Sequence, residues 1–197
     1  MSTLDHLLTG SSRTFALSIP LLPEPVRSEI TTAYLLFRIA DTIEDEFGWT
    51  DEQRLEGLRS MRTALQTGSL TGASVGEWLV PASVRLEHEG YAQLFEQAGL
   101  VVAVLRGLDR GASGLISEHL VRTMDGMIRF VEQDRRTKNL NELLAYCYSV
   151  AGIVGELCTA LFLRSQPSLR AAENELMEAS ARYGEGLQLV NILRDAP

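Results

Sequence analysis

Cysteine is scarce in this chain: its 197 residues hold only Cys147 and Cys158. If both lie on one helix, eleven residues apart, they stand about 16 Å from each other, too far for a disulfide. Neither has the spacing of a metal ligand, so both read as buried thiols of a reducing compartment. Positive charge is also short, with 18 Lys and Arg against 26 Asp and Glu and a net charge of −8. That balance argues against a nucleic-acid partner. It leaves room for an anionic ligand, provided that metal ions bridge acid to phosphate. No signal peptide is expected, since Met1 to His6 has neither a basic start nor an apolar run. The longest apolar run, Val150 to Leu163, is interrupted by Glu156. It is too short to span a bilayer and reads as a buried core helix. Strand signals are almost absent. So are a dinucleotide-binding glycine loop, a P-loop and a nucleophile elbow. The three histidines, His6, His88 and His119, are scattered without ligand spacing and read as surface or core residues.

Helical periodicity and helix punctuation fill the rest. The length suits one domain with a sizeable core, and a single domain over 1–197 is expected. Pro20, Pro23 and Pro25 break the start, and Pro25 suits a first helical position. A long helix is expected from about 26 to 46, ended by Gly48-Trp49. Thr50 or Asp51 then caps a helix to about 66. The Gly-, Ser- and Thr-rich stretch 67–76 reads as a loop. Helical pattern resumes after Pro81 and runs with breaks to Asp109, and Gly111 to Gly114 reads as a turn. Further helices are expected over 115–132, from a cap at Asn139 or Asn141 to about 163, and from Ser168 to about 194. The fold class is all-α, with long helices around one core.

Against this background Asp41-Thr42-Ile43-Glu44-Asp45 stands out, three carboxylates in five residues at the end of an apolar run from Ala33 to Ala40. On a helix, Asp41 and Asp45 share a face about 6 Å apart along the axis. Two negative charges at that distance repel by roughly 3 kcal/mol at an effective dielectric near 20. Such a pair suits a hard cation, because Mg²⁺ takes oxygen ligands and usually arrives with a substrate phosphate. The alternative, a solvated acidic helix end, fits poorly with the apolar flank. Tyr34 and Arg38 lie on roughly the same face, and Arg38 can pair with a carboxylate or grip a phosphate.

Three other segments carry polar or small residues in unusual places. Gln188, Asn191 and Asp195 fall at i, i+3 and i+7, one face of an otherwise apolar helix. They read either as a polar surface stripe or as buried groups that need partners, and spacing does not choose between the two. Nearby Gly184 and Gly186 leave room for another backbone or for a ligand chain. Tyr146-Cys147-Tyr148-Ser149-Val150-Ala151-Gly152-Ile153-Val154-Gly155 places small residues inside a helix, where glycine costs about 1 kcal/mol against alanine. Close helix packing is the better reading, a groove for a long apolar substrate the other. Tyr146 can hydrogen-bond in the core or face a cation with its ring. Ser11-Ser12-Arg13-Thr14-Phe15 can hold phosphate, or be a surface turn.

Together these four segments, in this order from Ser12 to Asp195, resemble the squalene and phytoene synthase family of head-to-head trans-prenyltransferases. The segment Asp41 to Asp45 resembles the family's first aspartate-rich motif, and Asn191-Ile192-Leu193-Arg194-Asp195 the start of the second. Tyr34 to Asp45 and Gly126-Met127-Ile128-Arg129-Phe130 are closer to the squalene synthase branch. Phytoene synthases more often have an acidic residue where Phe130 stands.

The resemblance implies an all-α isoprenoid-synthase bundle around a central cavity. It implies that Asp41, Asp45, Asp195 and Asn191 serve Mg²⁺, and that Ser12, Arg13, Arg38, Asn191 and Arg194 hold diphosphate. Tyr146 would sit by the reacting carbons. Phe15, Tyr34, Val150, Gly152, Val154 and Gln188 would line the cavity. The implied substrate is farnesyl diphosphate, joined head to head through a cyclopropyl intermediate, with NADPH needed where the product is squalene. Geranylgeranyl diphosphate and phytoene are the alternative within the class. A non-catalytic assembly or binding relative is the alternative outside it, disfavoured because the motif aspartates stand. A cytoplasmic location is expected, with peripheral membrane association for product release. The second motif should continue to another aspartate four residues past Asp195, and the chain stops at Pro197. A C-terminally shortened protein, inactive or impaired alone, is therefore the expectation.

Overall fold

The computed structural model describes residues 2–12, 14–45, 48–83 and 86–195, and among these every regular element is helical. The order is α1 (Thr3–Ser11), α2 (Phe15–Ser18), a 3₁₀ turn (Ile19–Leu21), α3 (Val26–Asp45), α4 (Asp51–Gln66), α5 (Gly72–Ser83), α6 (Glu89–Glu96) and α7 (Ala98–Gly107). Then come α8 (Arg110–Glu132), α9 (Leu140–Cys147), a π-helical turn (Tyr148–Gly152), α10 (Ile153–Ser165), a 3₁₀ turn (Pro167–Ala172) and α11 (Glu173–Asp195). The chain divides into two compact units, 1–114 and 115–197.

In the first unit, α3 is the central element and packs on α1, α4, α6 and α7. Its Leu35, Leu36, Ile39, Ala40 and Ile43 are wholly buried, joined by Leu58 and Met61 of α4 and by Leu94 and Phe95 of α6. The buried threonines of this helix are satisfied locally. Thr31, Thr32 and Thr42 donate their hydroxyls to the carbonyls of Arg27, Ser28 and Arg38, four residues back, at 2.7–2.8 Å. That pattern lets threonine stand in a core helix without an orphaned hydroxyl. Pro25 precedes the helix rather than opening it. Thr50 caps α4 through a reciprocal bond pair with Gln53, a capping box.

Two glycine-rich stretches differ from the sequence expectation. Residues 72–76 are helical, not loop, and α5 continues through position 81. Thr71 and Ser74 exchange side-chain and backbone hydrogen bonds at 2.9–3.1 Å, which starts the helix. Gly72 then lies against the backbone of Gly99 in α7. Likewise Gly111 to Gly114 is the first turn of α8, because the Asp109 carboxylate accepts from the N–H groups of Gly111 and Ala112. A good cap recovers the intrinsic cost of glycine in a first turn.

In the second unit, Ile116, Leu120, Met124 and Met127 of α8 and Leu157 and Leu161 of α10 are fully or almost fully buried. Asn139 caps α9 by accepting from the Glu142 N–H at 3.0 Å. From Leu140 to Ser165 the chain is helical for 26 residues, long and apolar enough by length and composition to cross a membrane. This exceeds the apolar run visible in sequence, because polar and small residues extend the helix at both ends. It nonetheless packs closely on α11. A Cβ on Gly155 would stand 2.2 Å from the Ser180 carbonyl oxygen, and one on Gly184 2.2 Å from that of Ala151. Both cysteines are free; Cys147 is buried, and burial pushes the Cys158 thiol up to about 11.

Candidate active site

In the first unit, five of the anticipated residues form a connected group at the meeting of α1, α2 and α3. Ser12 ends α1, and its hydroxyl accepts from the Phe15 N–H at 2.9 Å. The Phe15 ring meets that of Tyr34 at 5.5 Å, and the Tyr34 hydroxyl donates to the Ser11 carbonyl at 2.8 Å. One turn on, the Arg38 guanidinium lies 5.7 Å from the Tyr34 ring, and its Nη1 pairs with Asp41 at 3.5 Å. Arg13 lies outside the described residues.

A residue not anticipated from sequence completes the group. The Tyr91 ring lies 5.5 Å from the Arg38 guanidinium, so the cation sits between two tyrosines. His88 stacks on Tyr91 at 4.1 Å. Tyr91 is brought there by its neighbour: a Cβ on Gly90 would be 2.0 Å from the Gly10 carbonyl oxygen, so α6 crosses α1 almost backbone to backbone. Gly90 was the one sequence signal available, and its partner Gly10 lies 80 positions away.

The electrostatics of this group are unbalanced. Burial pushes the Asp41 carboxyl from 3.8 up to about 6, against the pull of Arg38 and with a further rise from Asp45. Burial works against the Arg38 charge, but Asp41 and the two tyrosines more than offset it and hold the guanidinium above its ordinary value. Among the described residues, Arg38 Nε is buried with no hydrogen-bond partner. Glu44 is buried and Asp45 exposed at the end of α3. No group of three His, Cys, Asp or Glu side chains is assembled to hold a metal ion among the described residues.

The second unit carries the remaining candidates. Tyr146 is half-buried, its ring stacked on Phe130 at 4.0 Å and 27°. Val150 and Val154 are half-buried. The Cβ position of Gly152 is taken up by the Tyr148 ring at 2.6 Å and the Ala181 carbonyl of α11 at 3.3 Å, so this glycine serves packing. Space around Gly186 is open to 4 Å among the described atoms. On α11, Gln188 is half-buried, while Asn191 and Arg194 are exposed. Asp195 ends the helix, and its side chain lies outside the described residues.

The family model of squalene/phytoene synthases matches residues 8–197. The chain belongs to this family. Among curated relatives, a squalene synthase of Botryococcus braunii is 30% identical over 193 residues, covering 96% of the chain and 38% of that protein. A squalene synthase of Gibberella zeae is 30% identical over 193 residues, covering 95% of the chain and 39% of that protein. A presqualene diphosphate synthase of Botryococcus braunii is 28% identical over 184 residues, covering 93% of the chain and 42% of that protein. The solved ligand complex of TcSQS superposes with a TM-score of 0.79 at 26% identity, covering 98% of this chain and 52% of that one. The chain thus spans about two fifths of the length of the curated relatives it matches.

Proposed function

We propose that this squalene/phytoene synthase family chain binds farnesyl diphosphate in the presence of Mg²⁺ for head-to-head condensation. Two farnesyl groups would join through a cyclopropyl intermediate of the presqualene type. The observation that carries this reading is the Arg38–Asp41–Asp45 group on α3: a cation between two tyrosine rings with a buried, unpartnered Nε, beside the Asp41 carboxyl that burial makes harder to ionise. Arg38 keeps an unsatisfied Nε beyond its pair with Asp41, and Asp41 also stands near a second carboxylate, Asp45. A magnesium diphosphate would meet both, with a phosphate oxygen for Nε and a cation for the carboxylates.

The residues fit Mg²⁺, which keeps several waters and takes one or two carboxylates plus substrate phosphate oxygens. Asp41 and Asp45 would hold it, with Asp195 and Asn191 of α11 as a separate set. When bound, the metal offsets negative charge that develops on the diphosphate leaving group. The rest is the chain's own work. Arg38 and Ser12 would donate to diphosphate oxygens in the first unit, and Arg194 would do so beside the separate α11 set. Tyr34 and Tyr91 fix the Arg38 plane so that it need not reorganise as the carbon–oxygen bond breaks. Loss of diphosphate from one substrate leaves an allylic cation; the double bond of the second attacks it, and loss of a proton closes the cyclopropane ring. The stacked Tyr146 and Phe130 present ring faces suited to a cation. Apolar surroundings keep water from quenching it. Reduction to squalene takes a hydride from NADPH, for which the chain shows no dinucleotide loop.

The test is calorimetric titration of the 197-residue chain with farnesyl thiodiphosphate, with and without Mg²⁺. Binding should require Mg²⁺ and should fall sharply in Asp41→Asn and Asp45→Asn. If both variants bind as the parent does, the assignment is wrong. The geranylgeranyl analogue, run beside it, reads out a preference for the longer chain.

A further inference from the structure

One stripe of α8 touches the end of α9 and the π-helical segment after it at three consecutive levels. Arg122, Gly126 and Phe130 lie at i, i+4 and i+8 on one helical face. Arg122 Nη2 donates to the Tyr148 hydroxyl and to Glu156 Oε2, both at 2.7 Å, and Tyr148 donates to Glu156 Oε1 at 2.8 Å. One turn on, a Cβ on Gly126 would fall 2.2 Å from that of Ser149, so the Ser149 side chain fills the space that this glycine leaves. One turn further, Phe130 stacks on Tyr146 at 4.0 Å. The polar triad therefore sits at one end of a register whose other end is the Tyr146 ring.

The π turn makes that register consequential. It spans Tyr148–Gly152. A π turn fits one extra residue into the helix and rotates the residues before it against those after it by roughly 100° relative to a regular α-helix. Such turns are rare and relax unless something holds them. Tyr148 is the first residue of the turn, and Glu156 lies one helical turn past its end. Their mutual hydrogen bond straddles the π segment, and Arg122 fastens both to α8. Burial and the Glu156 acceptor raise the Tyr148 phenol above its usual range, which keeps it a donor at neutral pH.

We propose that Arg122, Tyr148 and Glu156 are positioning residues that lock the π turn and thereby hold the Tyr146 ring on Phe130. The inference deepens the proposed function and rests on it only for what Tyr146 faces, not for how it is held. The test uses the 197-residue chain with its five tyrosines replaced by 3-fluorotyrosine, followed by ¹⁹F NMR. Tyr148→Phe removes two of the three hydrogen bonds but leaves Arg122 bonded to Glu156, so the pair stays satisfied. Glu156→Gln is the second variant and decides the matter if the first does not fold. In either, the Tyr146 resonance should shift toward its position in Phe130→Ala, where the stack is gone. Tyr183→Phe, at an exposed site, should leave it unmoved. A Tyr146 resonance unchanged in the folded variants would overturn the proposal. Farnesyl thiodiphosphate titration of the same samples separates the two ideas. A shifted Tyr146 with unchanged analogue affinity upholds the lock and removes Tyr146 from the proposed site.

Discussion

Gly184 and Gly186 lie two residues apart on α11 and should respond to alanine with opposite signs. At Gly184 a new Cβ would stand 2.2 Å from the Ala151 carbonyl oxygen and 2.7 Å from its carbon. Carbon and oxygen rest at roughly 3.3 Å or more, so the π turn and α11 must part by about 1 Å. Overpacking of that kind costs about 1–3 kcal/mol. At Gly186 the same methyl meets nothing within 4 Å among the described atoms. There only the helix propensity changes, a gain of about 1 kcal/mol over glycine. Both substitutions share that gain, so it cancels in the comparison. Gly184→Ala should therefore lie about 1–3 kcal/mol below Gly186→Ala, with Gly186→Ala above the parent. A gap of about 2 kcal/mol amounts to roughly 4–8 °C in Tm for a chain of this size. Urea unfolding followed by far-UV circular dichroism, with a common slope, measures it. If the two variants have the same midpoint, then α11 does not meet the π turn at Gly184, and the reading of Gly184 as a packing residue is wrong. Gly155→Ala, whose Cβ would lie 2.2 Å from the Ser180 oxygen, should behave like Gly184→Ala.

Three further outcomes are expected. Folded Asp41 keeps its proton to about pH 6, whereas the unfolded chain releases it near 3.8. Stability of the parent should therefore fall relative to Asp41→Asn as pH rises from about 4 to 6.5, and urea midpoints for both proteins across that range check the slope; a rise would contradict it. Tyr91→Ala removes one of the two rings around Arg38, a contact worth about 0.5–1 kcal/mol. It should weaken Mg²⁺-dependent binding of farnesyl thiodiphosphate about two- to fivefold, while Tyr91→Phe retains most of it. With its thiol near 11, Cys158 is about one part in a thousand thiolate at pH 8. Ellman's reagent should react slowly with the native chain and release two thiols promptly in denaturant; a fast native thiol would refute the burial of Cys147 or the raised thiol of Cys158.

Much of the fold was legible because apolar residues recur with helical period and the stops are strong. The bounds of α3 and α4 agree with Pro25, Gly48 and Thr50 to within a residue or two. Legibility failed where a cap outweighed composition. Residues 72–76 and 111–114 carry glycine and serine that argue for loops, yet Thr71/Ser74 and Asp109 supply the hydrogen bonds that start a helix there. The π turn left no trace, because it depends on Arg122 reaching across from another helix. The candidate site shows the same division. Tyr34, Arg38, Asp41 and Asp45 lie within one helix, so spacing alone sets them on a face. Tyr91 comes from a helix about 50 residues further along, and only the crossing of Gly10 and Gly90 brings it to Arg38.

The two sides of α3 are built to different ends. Leu35, Leu36, Ile39, Ala40 and Ile43 are completely buried, and they alone would secure the helix in the first unit. Opposite them stand an arginine whose Nε is buried without a hydrogen-bond partner among the described residues and an aspartate that burial drives toward neutrality. An unsatisfied buried donor costs roughly 1–3 kcal/mol, and the repulsion between Asp41 and Asp45 adds to it. Neutral side chains at those positions would make a better core. A fold retains such local losses where the rest of the structure over-determines it, and functional sites are where they collect. The wholly apolar face of α3 provides that surplus, and the tyrosines on either side of Arg38 keep the strained charge in place instead of letting it swing out to solvent. This side of α3 is therefore poised for a ligand that brings negative charge to the arginine and positive charge to the aspartates together, which is the chemistry of a metal-bound diphosphate.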